Sequence, residues 1–491
     1  MNKLGSGFIF ISASQMITVL GGLIINIFLS RYLGKEGYGI YSLIISGIMM
    51  VGITLVTNGF PQTLSKYISE GKYELKAFIT KMLLMQIIES LIILILYIAF
   101  SPILSIILKE DDLFGYLLIA SFIIPTQAIV SFLVGLYNGL RMFGNQAALV
   151  SLFSFFKVTC IISFTYLFGI KGAIFGFFMS TLLVSLLFVF KARKYFTRRF
   201  NFIVIKDIMP FFLRITLFSI ELSLLLSLDL NCLKLFLNYN QNEQLGIYSA
   251  GAVIAKTSFF LIISFSGVMF PIISNLLAND KLNEAQQQIG NMIKISSVFL
   301  LPIVTTLVFL SPILVNLFYG VEYSSSSSIV SILVFSYSIL GYFVIFANIL
   351  NSIGEVKTIN IISIITIAID IVLLYFLIKA LSIKGAAIAT TISSSIGLIS
   401  LIIILLQKIG IKMETMSILR ISIIGLIIFG ISNAFLVFLT KNVIFWIGIL
   451  IIETILYFTV LHFTNDFYVL HVIREYYSKY LKWLKNQRKN N

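Results

Sequence analysis

The chain is 491 residues long, 59% hydrophobic and only 11% charged, with a formal net charge of +15 and a mean hydropathy of +1.04. A soluble core of that size carries more charge and amphipathic stripes, so the composition excludes a water-soluble protein and predicts a polytopic membrane protein, each span needing about 20 apolar residues to cross a core of about 30 Å. The surplus Lys and Arg lie in loops between apolar runs, which points to membrane orientation and away from nucleic acid.

Met1–Lys3 leads into an apolar run with no small-residue cleavage pattern, so an uncleaved first span is expected. Apolar runs and their polar punctuation place fourteen spans, at 5–31, 38–60, 76–101, 115–137, 145–168, 171–190, 208–236, 245–277, 288–313, 327–350, 357–379, 384–407, 417–439 and 442–463. The expected fold is an all-α membrane protein of about 14 transmembrane helices. Its organisation is an N-lobe (1–190), a basic linker (191–207), a C-lobe (208–407), two extra spans (408–463) and a basic amphipathic tail (464–491). With the N-terminus cytoplasmic, 25 of the 35 Lys and Arg fall in inner segments and 8 in outer turns, which places both termini inside the cytoplasmic membrane. The linker (Lys191, Arg193, Lys194, Arg198, Arg199, Lys206) and the tail (with Arg474, Lys479, Lys482, Lys485 and Arg488) are expected against anionic inner-leaflet lipids.

The turn between the first two spans, RYLGKEGYGIYSL at Arg31–Leu43, returns in part downstream. GIYS at 39–42 recurs at 246–249, Phe60-Pro61 at 270–271, SPIL at 101–104 recurs at 311–314, and IKGA at 170–173 recurs at 383–386. Four matches in the same order mark a duplication. Six spans precede the repeat, so its two six-helix lobes share one orientation and are related by an axis along the membrane normal, an arrangement suited to alternating access. The last two spans stand outside it. Pro61, Pro271, Pro102 and Pro312 sit near span ends and are expected to terminate helices, whereas Pro302 has no partner and marks a kink.

Ionisable residues inside spans cost about 3 kcal/mol each if they face lipid, so each must face a partner or a wet path. Glu89, Lys157, Glu221, Lys256, Asp370 and Glu453 fall near mid-span, with Asp229 nearer the outside. Lys157 lies thirteen residues before Ile170 and Asp370 thirteen before Ile383, so the repeat puts a cation and an anion at equivalent places. On a continuous span 7, Arg214 and Glu221 share a face and Asp229 is turned about 80° from Glu221. In the functional reading Lys157 and Lys256, with Arg31 and Arg214, bind an anionic head group, while Glu221, Asp229, Asp370 and Glu89 couple to H+ or Na+. In the alternative reading they pair internally, Lys157 with Glu89 or Asp370, and hold helices together. Glu453, outside the repeat, reads as structural.

These features resemble the multidrug, oligosaccharidyl-lipid and polysaccharide exporter superfamily, and within it the polysaccharide (Wzx-like) flippases. The resemblance rests on LGKEGYGIYSL at Leu33–Leu43, GFPQTLSKYISEG at Gly59–Gly71, the IKGA turns, and two six-helix lobes with two added helices. It implies a transporter that moves a polyprenyl-diphosphate-linked oligosaccharide from the inner to the outer leaflet, with polysaccharide assembly enzymes as further partners. The helix 2 end, with Ser65 and Lys66, also resembles the lipid II flippase and sporulation branch, so a peptidoglycan precursor is a close competitor. A cation-coupled multidrug exporter is the other alternative, favoured by the mid-span acids and opposed by the mid-span lysines, which repel organic cations.

No enzymatic activity is expected. GxxxxGK[ST] does not occur, Gly34-Lys35 being followed by Glu36 and Gly71-Lys72 by Tyr73. His462 and His471 have no convergent Cys or carboxylate pattern, so neither a metal site nor another cofactor is expected.

Overall fold

The computed structural model describes residues 3–464 apart from 72, 111, 198–204, 238–240, 280, 411–414 and 432–442, with side chains of a few further segments left aside. Arg198 and Arg199 of the linker and the basic tail with His471 lie outside the described residues.

The described residues are almost wholly helical, with no strand among them. In chain order the helices are α1 (Lys3–Ser42), α2 (Met49–Glu70), α3 (Leu75–Ile107), α4 (Leu113–Ser121), α5 (Ile123–Gly139), α6 (Phe143–Ala192), α7 (Ile205–Leu225), α8 (Leu228–Phe236), α9 (Asn242–Ala278), α10 (Leu282–Phe318), α11 (Ser326–Ser352), α12 (Val356–Lys408), α13 (Thr415–Gly425) and α14 (Val443–Phe463). Nine stretches among the described residues are long and apolar enough to span a bilayer, three of them 53 residues or longer, and Met416–Gly430 and Gly448–Leu461 are shorter apolar helices. Halving the three long ones gives the fourteen spans the sequence predicts. A bilayer offers backbone groups no hydrogen-bond partners, which is why the chain reads as helix almost without interruption.

Two of the three long helices are divided by repeat-related corners. Gly169 (φ 58°, ψ −133°) breaks α6, and Ser382 (φ 55°, ψ −133°) breaks α12, each immediately before an IKGA segment. The duplication seen in the sequence is therefore a duplication of backbone geometry. Gly169 adopts this region freely, whereas Ser382 pays about 1–3 kcal/mol for it. Gly34 (φ 69°, ψ −176°) turns the chain inside α1.

Two expectations need correction. The prolines do not end helices: Pro61 lies inside α2, Pro102 inside α3 and Pro312, like Pro302, inside α10. In a packed bundle neighbouring groups re-satisfy the carbonyl that a proline frees, so the helix continues. Span 7 is not one helix either. It departs from α-helix at Leu226 and Ser227, whose N–H groups still donate to the Leu222 and Leu224 carbonyls, leaving α7 and the nine-residue α8.

The chain divides into two compact units. The first contains the chain up to Val253 together with 315–329 and 356–393. In it α1 packs on α6, and α2 packs on α5 and α7, around a core that includes Phe60, Leu64, Phe78, Met82, Phe132, Leu136 and Phe188. A π-helical segment, Leu43–Ile48, joins α1 to α2. Tyr97 of α3 supports it, its hydroxyl donating to the Ile48 carbonyl at 2.9 Å and accepting from the Gly52 N–H at 3.2 Å. The second unit contains 254–314, 330–355 and the described chain from Ser394. There α13 and α14 dock on α10 through Ile295, Val298, Ile421, Phe429 and Tyr457, with the Tyr457 hydroxyl donating to the Val298 carbonyl at 3.1 Å. The two spans outside the repeat thus share a core with it.

Candidate functional site

In the first unit the acids of span 7 and span 11 form a buried cluster around the break between α7 and α8. Asp229 occupies the first turn of α8, where the helix N-terminus favours negative charge. Its Oδ1 accepts from the Leu230 N–H at 2.8 Å, and its Oδ2 accepts from the Tyr248 hydroxyl of α9 at 2.6 Å. Asp370, fully buried in the first half of α12, accepts at Oδ1 from Ser393 at 2.7 Å, while its Oδ2 has no hydrogen-bond partner. The two carboxylates are within electrostatic reach of each other, and both act on Cys232. An orphaned buried carboxylate oxygen beside a second carboxylate is an arrangement that a proton or a small cation would neutralise.

The other predicted coupling residues occupy different surroundings. Glu221, near the end of α7, is buried, beside Ser363 of α12, with its Oε2 unpartnered. Ser363, Thr366 and Asp370 are all fully buried and recur on one side of α12, giving that helix a polar stripe. Glu89 of α3 is half-buried with one carboxylate oxygen unpartnered. The break after Leu225 voids the 80° relation between Glu221 and Asp229, which assumed a continuous helix. Arg214, seven residues before Glu221 on α7, is exposed, whereas Glu221 is buried.

Lys157 is half-buried in the first half of α6. Its ammonium sits 3.9 Å from the Phe177 ring centroid and 5.8 Å from that of Phe153. It pairs with neither Glu89 nor Asp370, and no carboxylate is near enough among the described residues to act on it. An aromatic face compensates a cation less completely than a carboxylate does, so the charge stays available to an anion. Lys256 lies in the second unit, 5.5 Å from the Tyr337 ring centroid. Glu453 is buried in the same unit.

The GIYS repeats meet each other within the first unit. A Cβ on Gly39 would fall 2.7 Å from the Gly246 nitrogen and against the Asn242 carbonyl, while one on Gly246 would strike the Lys35 carbonyl. Lys35 and Asn242 are themselves equivalent in the repeat, so the contact is reciprocal, as a two-fold axis requires. Around this seam Lys35 pairs with Glu243 at 2.7 Å. Arg31 donates to the Leu317 carbonyl at 2.6 Å and the Phe318 carbonyl at 3.0 Å, satisfying orphan carbonyls at the end of α10. Its guanidinium makes both contacts from an exposed position. The Tyr323 hydroxyl donates to the Ser30 carbonyl at 3.0 Å. Lys234 near the end of α8 pairs with Glu110 at 2.7 Å and donates to Asn242 at 2.5 Å. Sequence reasoning missed Tyr248, Ser393, Lys234 and Glu110. Tyr248 alone carried a signal, since it stands inside the second GIYS.

A family model described as polysaccharide biosynthesis protein matches residues 4–277. The chain belongs to that family. It thereby falls in the exporter superfamily that the sequence resembles, and the MatE family model matches residues 219–376. Among curated proteins, stage V sporulation protein B of Bacillus subtilis (strain 168) is 25% identical over 201 residues, a match that spans 38% of this chain and only 39% of that protein. Among solved structures, a lipid II flippase MurJ in an inward closed conformation superposes with a TM-score of 0.71 at 20% identity over 95% of this chain and 100% of the other. An inward-facing multidrug resistance MATE family transporter superposes with a TM-score of 0.66 at 15% identity over 81% and 97%. The two superpositions establish the fold.

Proposed function

We propose that the protein is a flippase that carries a polyprenyl-diphosphate-linked oligosaccharide, a precursor of a surface polysaccharide, from the inner to the outer leaflet of the cytoplasmic membrane. Both termini face the cytoplasm in this reading, the GIYS seam lies at the outer end, and two lobes, 1–190 and 208–407, alternate access between the leaflets. The observation that carries it is Lys157, a mid-span cation held on aromatic rings with no carboxylate beside it among the described residues. A diphosphate is the anion that such a lysine suits, as a point charge that reaches phosphate oxygens. Lys256 adds a second mid-span cation in the same role. Asp229 and Asp370 take up the coupling H+ or Na+, and the polar stripe from Glu221 and Ser363 to Asp370 is the path by which it arrives.

The test is depletion of the protein with leaflet-resolved analysis of lipid-linked intermediates. Undecaprenyl-linked oligosaccharide should accumulate on the inner leaflet, and unchanged export of every surface glycan would overturn the reading. Lipid II is the second reading. The superposition on a lipid II flippase favours it, as does the similarity to a stage V sporulation protein. Flipping of both cargoes in proteoliposomes separates the two.

A further inference from the structure

The repeat that exchanges Lys157 for Asp370 also exchanges what stands around each charge. In the register that the IKGA segments set, Phe153 answers to Thr366 and Phe177 to Thr390, while Ser180 is kept as Ser393. In the acid-bearing copy these side chains are hydroxyls: Thr366 and Thr390 are buried, and Ser393 donates to Asp370 at 2.7 Å. In the first copy two of them are rings. Phe177 is 4% exposed, its ring centroid lies 6.5 Å from that of Phe153, and the Lys157 ammonium is 3.9 Å from the first centroid and 5.8 Å from the second. The face of an aromatic ring attracts a cation and repels a carboxylate, so the surroundings change sign with the charge they hold. Filling of space alone does not account for rings beside the lysine and hydroxyls beside the aspartate. Backbone packing fixes the nearer ring. A Cβ on Gly176 would lie 2.6 Å from the Cys160 carbonyl oxygen and 2.7 Å from the Ile161 Cα, so the two limbs of α6 touch main chain to main chain. Phe177 is the next residue, and Lys157 stands about one turn before Ile161.

We propose that Phe177, with Phe153, is a resting seat from which an incoming anion must draw the Lys157 ammonium, and that this competition makes Phe177 a specificity-determining residue. It bars singly charged phosphodiesters, the head groups of ordinary anionic phospholipids, and admits a diphosphate. An ammonium lying between two rings reaches its closest approach to an anion only by leaving at least one of them. The cost of leaving is the same for every anion, and it is largest where water is excluded. The Coulomb gain is not the same, because it grows with the charge of the anion. A path open to one leaflet exposes a bare lysine to the phosphodiesters of the bulk lipid. A uniform cost keeps that weaker ligand out while the stronger still binds. The inference rests on the flippase reading for the role of Lys157, but it concerns binding and not transport.

The experiment titrates the full chain in detergent micelles with undecaprenyl diphosphate, which carries no sugar, and separately with phosphatidylglycerol, and counts bound lipid by native mass spectrometry. Phe177→Leu removes the seat and should tighten the binding of both anions about tenfold, a change of ~1.4 kcal/mol, which turns phosphatidylglycerol into an effective competitor. Phe177→Tyr keeps a ring and should stay within about twofold of the parent chain. In a Lys157→Met background, Phe177→Leu should change neither affinity. If Phe177→Leu does not insert, Phe153→Leu should tighten both by a smaller factor, since its ring is the more distant. Unchanged or weaker diphosphate binding in Phe177→Leu overturns the inference, as does a tightening that persists without the ammonium. Diphosphate binding that depends on Lys157 but ignores the rings overturns the seat alone and leaves the proposed role of Lys157 standing. Conversely, depletion that leaves surface-glycan export unchanged would sink the flippase reading without altering these affinities.

Discussion

Replacing Gly39 by alanine tests the seam directly. The added Cβ would lie 2.7 Å from the Gly246 nitrogen and 3.1 Å from the Leu245 Cβ, with the Asn242 carbonyl nearer still. Backbone atoms cannot swing aside as a side chain can, so the cost is that of overpacking, about 1–3 kcal/mol. That cost applies only while the seam is closed. The open–closed ratio should therefore rise about 5-fold to about 150-fold, read as the labelling rate of a Ser249→Cys reporter from the outer side. Gly246→Ala should do the same through the Lys35 carbonyl. The double variant is decisive: once the seam has parted both clashes are gone, so its labelling should scarcely exceed that of either single change. Unchanged labelling in a well-expressed Gly39→Ala chain would refute the seam as the closing contact. Fully additive losses of thermal stability would assign both glycines to folding instead.

Four further outcomes follow from the named contacts. Lys157→Ala should abolish flux of lipid-linked oligosaccharide while membrane insertion stays normal, whereas Lys157→Arg, which keeps the cation, should retain part of it; wild-type flux in the alanine variant would return Lys157 to a packing role. Asp370→Asn should remove the dependence of flux on an imposed Na+ or H+ gradient, measured in proteoliposomes. Gly169→Ser should cost about 1–3 kcal/mol in thermal unfolding, while Ser382→Gly should stay within about 1 kcal/mol because it trades strain for the 2.7 Å hydrogen bond to Gln244. Tyr97→Phe should cost about 1 kcal/mol by removing the support of the π-helical segment.

Much of this fold is legible in the sequence because a bilayer leaves a chain few choices. Apolar runs of spanning length must be helices, and a buried charge must have a reason. Hence the spans and the duplication, down to the paired corners at Gly169 and Ser382, could be read from one chain. The break in span 7 could not. Leu224–Leu230 is as apolar as the helices on either side, and hydropathy does not report where a hydrogen-bond ladder stops. The pairing of Lys234 with Glu110, 124 residues apart, was hidden for another reason: Glu110 belongs to a loop and Lys234 to the last turn of span 7 in the sequence pattern, and the close approach of the two GIYS segments brings them together. The carbonyl partners of Arg31 were hidden too, because its fork suits helix-end carbonyls as well as a diphosphate.

The duplication separates what shapes the protein from what distinguishes its halves. Where the repeated residues agree, as at Gly39 and Gly246, they make a contact that each copy gives to the other, and its chemistry is pure backbone. Where they disagree, the disagreement falls on charge and strain. Lys157 stands opposite Asp370, and Gly169 opposite Ser382, whose hydroxyl reaches Gln244 two residues before the second GIYS. A duplicated transporter with identical halves would present the same groups to its cargo and to its coupling ion. Under the proposed flippase reading, a cation on aromatic rings in one copy and an orphaned carboxylate in the other would give the anion and the cation separate sites on a shared frame. The strained Ser382 lies in the acid-bearing copy, twelve residues beyond Asp370 on α12, and its hydrogen bond ends on α9, the helix to which α8 is pinned.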